Sequence, residues 1–258
     1  MTIMKKISTL FLTVILIFSL SISAFATESP SSSSAIPFAT HISANEDTEY
    51  FRIPLSNDGN AETFGLFYLD VSLTGNKSSR TVSATVKNTA ALGFSTIDVT
   101  ITLYSSRTGS PVVRASKSDN DLNLGESLTV SHTNVSESAK YYAVVSGTAN
   151  GEDLYYSTYK IPFNKKAEKY PTQISSPVTG QSLPYNFSMT LKKIPEEDRV
   201  VWNSTTRKQY ADRLGVDLTG YDVHHIIPRA YGGTNADSNL IPLEPSDHTT
   251  VTSWWVNY

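Results

Sequence analysis

The stretch from residue 221 to residue 250 reads YDVHHIIPRAYGGTNADSNLIPLEPSDHTT. It contains three of the chain's five histidines. Two of them, His224 and His225, lie side by side in an apolar run that predicts a short β-strand. Because successive side chains of a strand point to opposite faces, the two rings are expected to have different roles.

Two further elements are predicted after this strand. The pair Gly232-Gly233 interrupts the apolar pattern and indicates a loop, and NLIPL at residues 239–243 predicts a second short strand. The PSD sequence that follows predicts the start of a helix, with Ser246 as N-cap and His248 in the first turn. Strand, loop, strand and helix together predict a ββα unit.

These residues and their order resemble the HNH endonuclease family, which has a ββα-metal fold. The family pattern has a His-His pair, a Gly-Gly loop, an Asn-Leu strand and a histidine in the following helix. Here Asn239 follows His225 by 14 positions and His248 follows Asn239 by 9. The resemblance covers about residues 215–258 and implies a small α+β domain at this end of the chain.

The resemblance implies a role for each matched residue. His225 would be the general base that deprotonates the attacking water. Asn239 would orient this base by hydrogen bonding across the loop, or help to hold the metal. His224 and His248 would hold one divalent cation, Mg²⁺, Mn²⁺, Ni²⁺ or Zn²⁺. The partner would be a nucleic-acid substrate, DNA in the first place and RNA as the alternative, and Arg229 would either clamp its scissile phosphate or be a solvated loop cation.

Two features depart from the fuller family pattern. The chain has no cysteine, which excludes disulfides and the structural zinc site that Cys pairs form in many members. Packing of Trp254-Trp255 against the strands is expected to take its place. Many members also have a histidine four positions after the one matched by His248, but here that residue is Thr252. The third protein ligand of the metal stays open, with Asp222 and Asp247 as candidates.

Residues 37–163 predict a mainly β domain. Runs rich in β-branched and aromatic residues alternate with turn clusters. Seven runs have this character: GLFYLDVSLTG, RTVSATVKN, STIDVTITLYSS, PVVRASKS, ESLTVSHTN, KYYAVVSGTA and DLYYSTYKIPF. In the third run, Ile97, Val99, Ile101 and Leu103 would share the core-facing side. The spacing predicts an antiparallel sandwich of the immunoglobulin-like kind.

This β domain shows no catalytic grouping in sequence. His41 and His132 have no acidic or histidine neighbour at ligand spacing, so both are expected to be exposed or hydrogen-bonded. Five tyrosines would form either a sugar- or wall-binding surface or half-buried packing residues: Tyr141, Tyr142, Tyr155, Tyr156 and Tyr159.

Residues 164–194 contain three prolines and no helical period, which predicts an extended linker or wrapping segment. Residues 195–258 would then form the HNH nuclease domain. It would open with a helix that has Ser204 or Thr205 as N-cap and Gly215 as its stop. Three helix cations would either contact the nucleic-acid backbone or form a solvated face: Arg207, Lys208 and Arg213.

The first 26 residues have the three parts of a secretory signal. Basic Lys5-Lys6 precedes the apolar run LFLTVILIFSL, and the small-residue site AFA ends at Ala26, where cleavage is expected. The apolar run is shorter than the roughly 20 residues of a spanning helix. A secreted chain with a Ser-rich spacer at residues 27–36 and no transmembrane segment after cleavage is therefore expected.

The charge and the resemblance define two hypotheses. The formal net charge of −3 becomes −5 without Lys5-Lys6, and this excludes the basic field of a tight nucleic-acid binder. The leading hypothesis is a secreted, metal-dependent endonuclease that acts as a toxin or a scavenging nuclease, and a toxin would need an immunity protein as partner. The alternative is an envelope- or glycan-binding β-sandwich protein with an inactive HNH remnant.

Overall fold

The computed structural model describes residues 37–55, 68–89, 96–149 and 151–258. These residues belong to one compact unit. The predicted signal segment at residues 1–26 and the spacer at residues 27–36 lie outside the described residues. In the part of the chain that is described, no helix is long and apolar enough to cross a bilayer.

Ten strands precede residue 164 within the described ranges. They are β1 (Thr40–Ala44), β2 (Thr48–Pro54), β3 (Tyr68–Asn76), β4 (Thr81–Asn88), β5 (Thr96–Ser106), β6 (Pro111–Asn123), β7 (Ser127–His132), β8 (Ala139–Ala149), β9 (Glu152–Ser157) and β10 (Ile161–Phe163). The sequence prediction missed β1 and β2, and the last predicted run forms both β9 and β10.

The ten strands form two antiparallel sheets. One sheet has the order β1-β2-β3-β4-β7, and the other has the order β10-β8-β5-β6, with β9 also paired to β8. In immunoglobulin lettering, β3, β4 and β7 correspond to A, B and E, and β6, β5, β8 and β9/β10 to C′, C, F and G. The predicted mainly β, immunoglobulin-like sandwich is confirmed.

Alternating burial along the strands builds the core of the sandwich. On β5, Ile97, Val99, Ile101 and Leu103 are at most 2% exposed, as the alternation predicts. Their side chains join a cluster drawn from both sheets. The intervening Thr102 faces outward and its hydroxyl hydrogen-bonds to a serine of β6. The period of two therefore separates a core face from a polar face.

The five tyrosines singled out in sequence do not form one surface. Tyr141 is 1% exposed in the core, and Tyr156 packs against that core. Tyr142 and Tyr155 lie on the outward side of the second sheet, as their positions in its registers require. Tyr159 stacks on a phenylalanine near the start of the described chain.

The two sandwich histidines are hydrogen-bonded, in agreement with the expectation. His41 Nε2 lies 2.6 Å from Oε2 of Glu49, and His132 Nδ1 lies 3.0 Å from the hydroxyl of Tyr141. Both rings therefore have partners within the sandwich and serve its structure.

The carboxyl-terminal part contains two α-helices and two β-strands, besides two 3-10 turns at Arg229–Tyr231 and Asp237–Asn239. The helices and strands are α1 (Ser204–Leu214), β11 (Asp222–His225), β12 (Leu240–Leu243) and α2 (Pro245–Val256). The strands β11 and β12 pair antiparallel, and α2 follows directly. The predicted small α+β unit of ββα type is confirmed.

The helix starts differ from their predictions. Asn203 caps α1, because its side chain accepts hydrogen bonds from the N–H groups of Thr205 and Thr206, so Ser204 and Thr205 are not the cap. Gly215 ends α1 in the left-handed conformation, as predicted.

The N-cap of α2 is Glu244, without a side-chain bond, and the prediction of Ser246 was wrong because the helix begins with Pro245.

Residues 164–194 wrap along the ββα unit. Tyr170, Phe187 and Met189 from this segment are buried in one cluster with Trp254-Trp255 of α2. The expected packing of the two tryptophans therefore involves this segment as well as the strands. Of the two alternatives, linker or wrapping segment, the structure shows a wrapping segment. The position of a domain boundary within it stays a prediction.

Lys169 joins this wrapping segment to the sandwich. Its ammonium group is fully buried, donates to the carbonyl of Asn45 and lies 3.1 Å from Oε1 of Glu49 on β2. The preceding residue, Glu168, accepts a hydrogen bond from the indole of Trp254 at 2.7 Å. Adjacent residues of one segment thus hold the sandwich on one side and α2 on the other.

Candidate active site

The strand β11 directs its two histidines to opposite sides. His224 faces α2, where the ring of His248 lies 5.4 Å away between ring centres. His225 faces the other way, and its ring meets Trp202 edge-on at 4.9 Å. Adjacent residues of a strand are expected to diverge in this manner, so two distinct chemical environments arise from one dipeptide.

The imidazole of His224 is a buried group with an unused nitrogen. The residue is 4% exposed, and its Nε2 has no hydrogen-bond partner among the described residues. Burial, reinforced by His248 and His225, lowers the pKa of His224 to about 3. The ring is therefore neutral at ordinary pH. A buried, unpaired and neutral imidazole nitrogen fits a metal ligand.

Asp222 supports the second imidazole. It lies two residues before His224, so both face the same side of β11. Its Oδ2 is 3.3 Å from Nδ1 of His248. A carboxylate in this place can accept the Nδ1 proton and leave Nε2 of that ring as a ligand.

Among the described residues, the other carboxylate candidate, Asp247, has no such contact. In the described part of the chain, no group of three or more His, Cys, Asp or Glu side chains is arranged to hold one ion. The two imidazoles of His224 and His248 are therefore the donors that the fold offers, and open positions remain for water and phosphate oxygens.

His225 is held by an asparagine of the loop. Its Nε2 lies 3.0 Å from Oδ1 of Asn235, and Nδ2 of the same amide donates to the carbonyl of Val201 at 2.8 Å. The second bond fixes the amide with its oxygen toward the ring, so Nε2–H donates and Nδ1 keeps its lone pair.

The protonation state of His225 suits proton acceptance. Burial lowers the pKa of His225, the hydrogen bond with Asn235 raises it, and the charge of Arg229 lowers it, with a net downward direction. The ring is therefore largely unprotonated at neutral pH. An unprotonated imidazole with a directed second nitrogen is the arrangement of a general base.

Asn239 ties the two ends of the loop together. Its Oδ1 accepts from the N–H of Ile227 at 2.8 Å, and its Nδ2 donates to the carbonyls of Ile227 and Thr234 at 3.1 and 2.9 Å. The described hydrogen bonds do not join Asn239 to the ring of His225. It bridges the backbone of Ile227 and Thr234 across the loop, and its expected role of orienting the base or helping to hold the metal stays a prediction.

The glycine pair permits this close crossing. Gly232 has φ of 84°, a left-handed conformation that ends the preceding 3-10 turn. A Cβ at Gly233 would lie 1.6 Å from the carbonyl oxygen of Ile227 and 3.0 Å from Nδ2 of Asn239. A side chain at Gly233 would therefore displace the backbone that Asn239 bridges.

The helix α1 braces the hairpin from the side of His225. The buried hydroxyl of Tyr210 donates to the carbonyl of Leu240 at 3.2 Å.

The three cations predicted on this helix all have intramolecular partners. Arg207 donates to the carbonyls of Leu218 and Tyr221, Lys208 pairs with Asp212, and Arg213 pairs with Asp237. Contact of these cations with a nucleic-acid backbone stays a prediction.

Arg229 lies just after the histidine strand. Its Nη1 donates to the carbonyl of Val200 at 2.9 Å, which fixes one edge of the guanidinium group. The group is close enough to His225 to lower the pKa of that ring. Its role as a clamp for the scissile phosphate stays a prediction.

Two site residues were missed from the sequence. Asn235 is one of several polar residues in TNADSN, and nothing in its spacing separates it from its neighbours. Trp202 lies before α1 and reaches His225 only because α1 folds back onto the hairpin. The Gly232-Gly233 pair was the one signal in the sequence, because it indicates a tight loop that could bring side chains between Gly233 and Asn239 close to the histidine strand.

A family model described as HNH endonuclease matches residues 213–253, which span the end of α1, the hairpin and most of α2. The resemblance of the carboxyl-terminal region to this family is confirmed. No curated protein and no solved structure shows significant similarity to the chain. The HNH domain indicates a nuclease with a nucleic-acid substrate, and HNH endonucleases generally use a divalent metal ion.

Proposed function

We propose that the chain is a secreted, metal-dependent endonuclease that hydrolyses phosphodiester bonds of DNA or RNA. One observation carries the proposal. The strand β11 carries His225, which is hydrogen-bonded to Asn235, on one side, and on the other side it carries His224, whose ring faces that of His248 on α2. A remnant without activity has no need to keep a buried imidazole nitrogen unpaired.

The metal would be held by His224 and His248. The unpaired Nε2 of His224 and the contact of Asp222 with Nδ1 of His248 fit this use. When bound, a divalent cation stabilises negative charge on phosphoryl oxygens as a Lewis acid. Imidazole donors suit Zn²⁺ and Ni²⁺, and a shell completed by water and phosphate oxygens also admits Mn²⁺ and Mg²⁺.

The residues of the chain supply the proton transfer. Nδ1 of His225 accepts a proton from a water molecule whose oxygen forms the new bond to phosphorus. The bond from phosphorus to the leaving sugar oxygen breaks, and that oxygen takes a proton from solvent. During this step Nε2–H stays bonded to Oδ1 of Asn235, which stabilises the imidazolium that forms. The remaining N–H groups of Arg229 would orient the phosphate.

Secretion rests on the signal-like residues 1–26. An exported nuclease suits either a toxin, with an immunity protein in the producing cell, or a scavenging enzyme. Recovery of the chain from the culture medium with Thr27 as its first residue would support export. Recovery of the uncleaved chain from the cell interior alone would contradict it.

Activity is tested with the chain from Thr27 to Tyr258. Supercoiled plasmid, linear duplex, single-stranded DNA and RNA are each incubated with Mg²⁺, Mn²⁺, Ni²⁺ or Zn²⁺. Cleavage should disappear in His225→Ala and with a chelator, and should persist in His132→Ala, which changes a sandwich histidine. If the folded parent protein binds metal and leaves every substrate intact, the catalytic proposal fails.

A further inference from the structure

Three tyrosines gather on the outward side of the second sheet. Tyr104 of β5 and Tyr142 of β8 are register partners, and their rings stack with centres 5.1 Å apart and planes 10° from parallel. Tyr155 of β9 is 44% exposed and lies on the same outward side, opposite Ser146 in the register. Burial raises the pKa of Tyr104 and of Tyr142, and Tyr155 raises both further. The outward side of this sheet therefore exposes aromatic rings, although polar side chains alone would suffice on a surface that faces solvent.

Two lysines border these rings. Nζ of Lys160 lies 5.3 Å from the ring centre of Tyr142, and Lys140 follows the outward alternation of β8. Partial burial lowers the pKa of Lys140, and the nearby charge of Lys160 lowers it further. Within the described ranges neither lysine forms an ion pair. We call Tyr104, Tyr142, Tyr155, Lys140 and Lys160 together the tyrosine-lysine face.

A pocket of about 480 Å³ opens at one end of this face. Arg107, Lys140 and Lys160 contribute to its walls, and Ser188 and Thr190 of the wrapping segment line the other side. Arg107 pairs with Glu137 at 2.7 Å, but among the described residues neither lysine has a carboxylate partner. Ser188 and Thr190 bond to each other through their hydroxyls, which leaves one hydroxyl proton for a ligand. Cations without a carboxylate partner beside such hydroxyls favour an anion, and phosphate has the fitting chemistry.

The pocket is connected to the ββα unit. Phe187 and Met189 line it and also pack with Trp255 in the buried cluster around α2. Trp255 follows His248 by seven residues on that helix, which corresponds to about 10 Å along its axis. A strand of several nucleotides is long enough to contact both regions.

We propose that the tyrosine-lysine face and its pocket bind a single nucleic-acid strand outside the catalytic site, with backbone phosphates at the lysines and bases against the tyrosines. Exposed aromatic rings beside a cationic groove are the means by which proteins hold single strands without sequence preference. Because the whole chain is acidic, local cations are needed to retain a polyanion. The inference rests on the proposed nuclease function and adds single strands to its substrates.

A neutral glycan would explain the tyrosines but not the uncompensated lysine pair. A free phosphate or a mononucleotide would explain the lysines but not the row of aromatic rings. Of these three ligands, a nucleic-acid strand is the one that uses both features. These two other ligands therefore serve as comparison arms in the experiment.

The test measures binding in the His225→Ala background, where the strand stays intact. Fluorescence anisotropy follows a labelled oligonucleotide of about 15 nucleotides, a length within the range of single-strand sites. The Lys140→Ala/Lys160→Ala double variant should bind about tenfold more weakly, with a shallower dependence on salt because two phosphate contacts are lost. Tyr142→Ala should weaken binding by a similar factor. Lys87→Ala, an exposed lysine of the other sheet, should change little.

Several outcomes would overturn the proposal. Unchanged affinity and salt dependence in the double variant would remove the lysines from strand binding. Competition by inorganic phosphate or a mononucleotide as strong as by the unlabelled strand would mark a small-anion pocket. Retention on glycan beads without oligonucleotide binding would mark a glycan site. Plasmid cleavage by the parent chain separates this failure from failure of the nuclease function, since each can occur without the other.

Discussion

Oδ2 of Asp222 lies 3.3 Å from Nδ1 of His248, which places a carboxylate behind one of the two imidazoles that face each other between β11 and α2. The pattern of β11 puts Asp222 on the same side as His224, so one short strand supplies both an imidazole and the group that orients its partner. A carboxylate that accepts the distal ring proton raises the basicity of the metal-facing nitrogen.

Replacing Asp222 should therefore weaken metal binding. In Asp222→Ala the affinity for Zn²⁺ or Ni²⁺ should fall about 10- to 100-fold, the usual effect of removing such a partner. Calorimetric titration of metal into the metal-free chain measures the change. The matched control is Asp247→Ala, whose carboxylate stands in the first turn of α2 and should affect only helix stability, by about 0.5 kcal/mol. Equal losses in both variants would contradict the assignment.

Replacing Asn235 should slow the reaction more than it weakens substrate binding. Asn235→Ala leaves Nε2 of His225 without its acceptor, so kcat should fall about 100-fold while KM changes little. Asn235→Asp keeps an acceptor oxygen and should recover part of the rate. Thr234→Ala keeps the backbone carbonyl that Asn239 uses and serves as the control. If Thr234→Ala loses as much activity as Asn235→Ala, the loop and not the amide determines the rate.

The sandwich and the ββα unit were predictable because their signals are local. Alternation of apolar residues indicates which side of β5 is buried. The order of His225, Asn239 and His248 along the chain predicts the hairpin and the helix that follows it. The partners Asn235 and Trp202 were not predictable, because their contacts with His225 depend on how a loop and α1 fold over the strand. The sequence prediction missed strands β1 and β2 because their apolar runs are short and interrupted by polar residues.

The buried ion pair of Lys169 and Glu49 should matter for stability mainly because removing one partner leaves the other charge buried and unpaired. Lys169→Met leaves Glu49 buried with only His41 beside it, and should lower the free energy of unfolding by about 3 kcal/mol. The double variant Lys169→Met/Glu49→Leu removes both charges and should regain much of that loss. Urea denaturation measures both. Lys77→Met, which breaks a 4.0 Å contact of an exposed lysine, should cost less than about 1 kcal/mol.

A double variant no more stable than Lys169→Met would contradict this account. In that case the loss would come from packing around the lysine stem rather than from an unpaired carboxylate. The comparison therefore also tests whether the wrapping segment is held to the sandwich by charge or by apolar contact.

Buried tyrosines should make the chain lose stability in alkaline solution. Burial raises the pKa of Tyr141, which is 1% exposed, to about 12, and the pKa of Tyr210 is raised to about 12 for the same reason. In the unfolded chain a tyrosine has a pKa of about 10. The stabilisation is complete below pH ~10 and is lost as the pH rises toward 12, because only the unfolded state releases these protons there.

Each such tyrosine should lower the free energy of unfolding by up to about 1.4 kcal/mol per pH unit in that window. Urea denaturation at pH values from about 9 to about 12 gives the slope for the parent chain. Tyr141→Phe keeps the ring in the core and removes the ionisable hydroxyl, so its slope should be shallower by one tyrosine's contribution, and Tyr141→Phe/Tyr210→Phe shallower by two. A slope in Tyr141→Phe equal to that of the parent would mean that its hydroxyl ionises as readily in the folded chain as in the unfolded one, and that the sandwich core admits solvent at β8.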